Sequence, residues 1–139
     1  MNIDIKNPEV QLTDPSQVAQ IFRDILATEI WTDQEKEHLW VIGMDTSNRI
    51  KYIELVSMGI LDQVPAHPRE IFRFAIFNAI NQIILIHNHP SYSLTPSIED
   101  NNLTEKIKKS GDILSIKLKD HIIVGKNGHY SYLENGANL

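Results

Sequence analysis

Residues 85–100 read LIHNHPSYSLTPSIED. His87, His89 and Asp100 in this stretch offer two imidazoles and a carboxylate, a donor set that suits zinc. The run before them, Gln82 to Ile86 (QIILI), is apolar and rich in β-branched side chains, which marks a buried central strand. Side chains alternate across a strand, so His87 and His89 point to one side if the extended backbone continues to Pro90. Proline cannot continue a ladder, and Pro90 turns the chain away. A loop from Ser91 to Thr95 leads to Pro96, a residue suited to the first turn of a helix. Asp100 then stands in the opening turn, able to face back toward the histidines. Three protein ligands leave a fourth tetrahedral position for water, as in a catalytic zinc site. Ser97 and Asp100 also fit a capping box, S-x-x-D, which satisfies orphan helix amides without any metal.

The chain has 139 residues, enough for a single domain (1–139, core about 10–133) with a real core and too few for two. Apolar content of 42% and charged content of 22% are ordinary for a globular protein. No run of about 18 apolar residues is present, so no membrane partner is expected. The start, MNIDIKNPEV, lacks the basic and apolar segments of a signal peptide, so a cytoplasmic location is expected. With no cysteine, a zinc site must be built from His, Asp or Glu. The net charge is −5, and the only basic cluster, Lys106, Lys108 and Lys109, shares its helix with Glu99 and Glu105. It reads as a solvated helix face, and nucleic-acid binding is expected to be weak or absent.

Outward from the histidines, Pro15 to about Thr28 reads as a helix, with Asp14 before it and Val18, Ile21, Phe22, Ile25 and Leu26 on one apolar face. Residues 1–12 read as an extended lead-in, with Val10 and Leu12 pairing at a sheet edge. Trp31 is expected in the core. Glu37 to Asp45 and Arg49 to Ser57 form a hairpin around Thr46-Ser47-Asn48. Gly59 marks a bend or bulge, and 60–67 a loop. Pro68 to about Asn81 is a helix apolar nearly all round, Phe74 and Phe77 included, and is expected to be mostly buried. The helix after Pro96 is expected to stop at Ser110-Gly111. Ser115 to Gly125 and His129 to Leu133 are further strands, and 134–139 is expected to fray. The sum is an α/β domain, a mixed sheet of five to six strands flanked by three helices.

With these pieces placed, the chain resembles the RadC-like branch of the JAB/MPN (JAMM) metalloprotease superfamily. The superfamily pattern is an early glutamate, then H-x-H, seven residues, serine, two residues and aspartate. Here it reads Glu37, His87-Asn88-His89, residues 90–96, Ser97 and Asp100. PREIFR (68–73), HNHPS (87–91), PSIED (96–100) and DHIIVG (120–125) carry the RadC flavour over residues 10 to 133. The resemblance implies a cytidine-deaminase-like (JAB1/MPN) fold and one zinc ion per chain, held by His87, His89 and Asp100. It further implies Glu37 as general base through the bound water, and Ser97 as a stabiliser of the oxyanion. A peptide or protein substrate, cut at a peptide or isopeptide bond, follows from the same likeness. Two departures stand out. Longer RadC proteins carry an N-terminal helix-hairpin-helix region, for which this chain has no room, and Tyr92 replaces the usual glycine after HNHPS, implying a stiffer or more occluded loop.

Two rival readings are a DNA-repair or mobile-element accessory protein that uses the fold as a binding module, and a metal scaffold without turnover. Glu35 and Glu54 compete with Glu37 for the base, but Glu37 directly precedes the apolar strand and shares a side with Leu39 and Val41. Asn88 reads as a loop hydrogen bonder and His67 as a helix-entry residue. His38 and His129 read as surface residues, and His121 as a strand residue away from the metal. Duplex DNA in a gel-shift at about 150 mM salt should bind only weakly; a tight complex would promote the repair reading.

Overall fold

The computed structural model describes residues 11–12, 14–59 and 66–139. Five strands form one mixed sheet: β1 (Glu37–Met44), β2 (Ile50–Gly59), β3 (Gln82–Asn88), β4 (Lys117–Val124) and β5 (His129–Ser131). Their order is β2-β1-β3-β4-β5. Only β3 and β4 run parallel, and the other neighbours are antiparallel. The expected hairpin is therefore present, and the apolar β3 sits at the centre of the sheet. The edge pairing foreseen for Leu12 is seen in its amide, which donates to the Asn48 carbonyl at 2.9 Å; Val10 lies outside the described residues.

Alternation along β1 and β3 divides the core in two. Trp40, Ile42, Met44, Ile84 and Ile86 face α1 (Pro15–Ala27), whose Phe22 ring packs on Trp40 with centroids 4.9 Å apart. Leu39, Val41, Ile83 and Leu85 face the other way, onto α3 (Pro68–Phe77) and α4 (Ile98–Leu114). A one-turn helix, α2 (Trp31–Gln34), precedes β1. Trp31 is 75% exposed at its start, not in the core as expected.

Three helix expectations are corrected. α3 buries only the face of Ile71, Phe72 and Ala75; Phe77 is 86% exposed at its last turn. It ends there because Ala79 takes a left-handed φ of 55°. α4 begins at Ile98, two residues after Pro96, and runs through Gly111 to Leu114. Gly111 is no stop signal: a Cβ there would lie 2.3 Å from the Ile116 carbonyl oxygen, so glycine permits the close packing of α4 on the chain that follows it. Residues 134–139 do not fray, since Asn135 and Ala137 amides bond back to Ser131 and Tyr132 carbonyls and Leu139 packs on the α3–α4 core.

β4 carries one extra residue. Ile83 pairs with Leu118 but Ile84 pairs with Asp120, so Lys119 bulges out and the side-chain alternation resets. Leu118 and His121 thereby face the same side of the sheet as their ladder partners Ile83 and Leu85.

Gly43 gives this sheet a sharp test. A Cβ there would meet the Tyr52 ring at 2.1 Å, and that ring is held edge-on by Phe74. Gly43→Ala should destabilise the fold by about 1–3 kcal/mol, read as a lower denaturation midpoint. Combining it with Tyr52→Leu should recover part of the loss; a neutral single substitution would contradict this packing.

Candidate metal centre

β3 delivers His87 with its side chain on the α4 side, 3% exposed. The extended backbone continues one residue further, because the His89 amide donates to the Val124 carbonyl at 2.9 Å. Both histidines therefore share a side, as strand alternation requires. α4 brings Asp100 over them. Ser97 caps the helix, its Oγ accepting the Asp100 amide at 3.0 Å, while Asp100 Oδ2 accepts the Ser97 amide at 2.8 Å. The capping box and the candidate ligand are thus the same carboxylate.

His87, His89 and Asp100 form the group that could hold a metal ion among the described residues. His87 Nε2 lies 3.2 Å from Asp100 Oδ1, His89 Nε2 lies 3.2 Å from Oδ2, and the two Nε2 atoms are 3.0 Å apart. Ligands on a tetrahedral zinc at 2.0–2.1 Å stand about 3.3–3.4 Å from one another. These separations are close to those that zinc needs, with each imidazole facing a different oxygen of Asp100. Each ring is also anchored through its other nitrogen: His89 Nδ1 sits 3.1 Å from the Ser93 carbonyl oxygen and His87 Nδ1 2.8 Å from His121 Nε2. The residues fit the ion.

The electrostatics follow from this clustering. Burial pushes the Asp100 carboxyl up, but hydrogen bonds to His87 and His89 outweigh it and hold the group well below the usual carboxylate range. The hydrogen bond to Asp100 raises His89 against the opposing effect of burial, and the Glu37 charge adds to the rise. Burial drives His121 well below the ordinary imidazole value.

Glu37 stands where its charge reaches this group. The antiparallel β1–β3 ladder ends with Leu39 paired to His87, and Glu37 lies two residues further along β1 on the same face as Leu39. Of the rivals, Glu54 is 1% exposed and bound by Arg73 at 2.7 Å, while Glu35 lies on the α1 side of the β3 end, 3.9 Å from Lys126. Asn88, read only as a loop hydrogen bonder, does more. Its Oδ1 accepts the His38 amide at 2.6 Å and its Nδ2 donates to the Lys36 carbonyl at 3.0 Å, clamping the peptide groups on both sides of Glu37.

His38 departs from expectation, and His121, outside the donor group as expected, gains a contact with it. His38 is fully buried, stacked on Trp40, with Nε2 2.7 Å from Glu29 and Nδ1 2.8 Å from the Lys36 carbonyl oxygen. His121 is also fully buried and touches His87 directly, a contact that only the β4 bulge makes possible. Tyr92 is 72% exposed, with the Lys126 ammonium 5.4 Å from its ring centre, so it does not cover the donors. Leu94, two residues on, packs the loop against Gly125 and Gly128. A groove of about 270 Å³ on the α1 side of the β3 end is lined in part by Arg23, Leu26, Gln34, Glu35, His89 and Lys126.

A mixed sheet whose central strand ends in two inward histidines, faced by a helix with an acid in its first turn, is the plan of a JAB domain. The chain belongs to the RadC-like JAB family, whose model matches residues 12–137. A UPF0758 protein of Pelodictyon phaeoclathratiforme is 45% identical over 104 residues, 75% of this chain and 47% of that one. One from Chlorobaculum parvum is 48% identical over 100 residues, 72% of this chain and 45% of its own length. A third, from Staphylococcus epidermidis, is 41% identical over 128 residues, covering 92% of this chain and 54% of the relative. The chain spans about half the length of these relatives.

The two shifted imidazoles set the pH response of the metal-free protein. His89 is raised, so its contribution is full below the unfolded value of about 6.5 and fades as pH rises through its folded value. His121 is depressed, so stability is lost as pH falls below about 6.5, where only the unfolded chain takes the proton. After chelator treatment, thermal unfolding between pH 8 and about 5.5 should therefore show a maximum near about 6.5. Asp100→Asn should flatten the alkaline limb; a monotonic profile in the parent protein would contradict the assignment.

Proposed function

We propose that the chain is a zinc-dependent hydrolase of amide bonds, acting on a peptide or isopeptide linkage in a peptide or protein substrate. One zinc ion is held by His87, His89 and Asp100. The feature that supports this reading is Glu37, on the face of β1 that carries Leu39 and with a charge that reaches His89, beside donors whose 3.0–3.2 Å separations suit zinc. A binding module has no use for a carboxylate so placed.

Zinc in such a site supplies Lewis acidity, bringing the pKa of its water toward about 7. The chain's own residues do the rest. Glu37 accepts the proton of the attacking water and returns it to the leaving nitrogen, so that the acyl carbon gains an oxygen and the amine departs neutral. Asn88 holds the backbone on both sides of Glu37 and so keeps the carboxylate from swinging with the strand end. Ser97 Oγ accepts the Asp100 amide, which leaves its own hydrogen to donate to the substrate carbonyl oxygen as that atom gains charge.

Elemental analysis should find one zinc per chain in the parent protein and much less in His89→Ala. Affinity should fall on acidification, because protons compete for the imidazole that Asp100 makes more basic. Substrate is sought with quenched peptides and lysine-linked isopeptides. On the substrate found, Glu37→Gln should keep its zinc and lose about 10²–10⁴-fold in turnover, while Glu35→Gln changes little. Loss of zinc from Glu37→Gln would make it a ligand, and surviving turnover would place the base elsewhere.

A further inference from the structure

We infer that Thr104 and His121 are positioning residues that fix the tautomer of His87, so that its Nε2 presents a lone pair to the metal; this rests on the metal reading above. Thr104 lies one turn after Asp100 on the same face of α4, and His121 lies on β4 beside β3. Both side chains are buried, and they link two ligands that come from different elements. Thr104 Oγ1 is 2.8 Å from the Asp100 carbonyl oxygen and 2.6 Å from His121 Nδ1, and His121 Nε2 is 2.8 Å from His87 Nδ1.

The direction of the hydrogens follows from the acceptor-only end of this chain. A carbonyl oxygen can only accept, so the Thr104 hydroxyl hydrogen points to Asp100. With its hydrogen committed, Oγ1 accepts from His121 Nδ1–H. A neutral imidazole carries one N–H, so His121 Nε2 must accept, and His87 Nδ1–H donates to it. His87 Nε2 is left with its lone pair, turned toward His89 and Asp100. The reverse polarity would aim the hydroxyl hydrogen at His121 and leave two oxygens 2.8 Å apart with no hydrogen between them. It would also put a hydrogen on His87 Nε2, where no metal could bind. The chain of bonds starts on the backbone of one ligand and ends on the ring of another.

The test compares zinc affinity, by competition with a chromophoric chelator, across four variants. Thr104→Val keeps the shape and removes the hydroxyl, releasing His121 to either tautomer. His121→Leu removes the acceptor. Each should weaken zinc binding about 10–100-fold. Thr104→Ser should bind as the parent does, and His121→Gln, whose amide oxygen can stand where Nε2 stood, should recover most of the affinity lost in His121→Leu. Long-range ¹H–¹⁵N NMR of the zinc-loaded parent should place the His121 proton on Nδ1, a signature that packing alone would not set. Parent-like affinity in both Thr104→Val and His121→Leu, or a His121 proton on Nε2, would overturn the inference and leave the metal site standing. A parent protein that held no zinc would overturn both.

Discussion

The parallel pairing of β3 with β4 is the constraint on which the rest depends. Parallel neighbours cannot be joined by a tight turn, so the chain must cross back over the sheet before it re-enters. α4 is that crossover. Because it runs from the end of β3 to the start of β4, its first turn must lie over the end of β3. Asp100 occupies that first turn and His87 and His89 occupy that end. The donor triangle is therefore a product of topology before it is a product of any side-chain preference.

Much of this was legible because it rests on local rules. The apolar β3, the H-x-H spacing and the S-x-x-D cap each have a physical reading that needs no neighbour. Failures fell where a distant packing partner decided the outcome. The buried stripe of α4 is Thr104, Ile107 and Gly111, of which only one is a large apolar side chain, so periodicity gave a weak outline and the glycine read as a stop. Trp31 begins a one-turn helix with its ring exposed, and nothing in its local sequence marks that turn. The contact of His121 with His87 is not legible, because alternation counted from Leu118 puts His121 on the other face and the bulge that resets the count leaves no mark in the composition. Asn88 read as a loop residue because the backbone groups it clamps lie 50 residues away in sequence.

The choice of aspartate at position 100 shows how the helix and the site share one group. A capping box accepts glutamate at this place as readily as aspartate. One more methylene, however, would move the carboxylate by about 1.5 Å and spoil donor separations of 3.0–3.2 Å. The helix start alone would not demand the shorter acid. Whatever orders the first turn of α4 also assembles the donors, so local folding and ligand placement are a single event.

The extra residue in β4 gives that strand two reading frames. Up to Leu118 the even positions face α4, and from Asp120 onward the odd positions do. Lys119 absorbs the difference. A chain shortened by this residue would still set Leu118 against Ile83 and Asp120 against Ile84, with a flush ladder in place of the bulge. A residue gained or lost anywhere from Asp120 to Val124 would instead send His121 or the strand end to the opposite layer. Length variation in β4 is thus confined to one position, and His121 keeps its neighbour only while the count beyond that position is held.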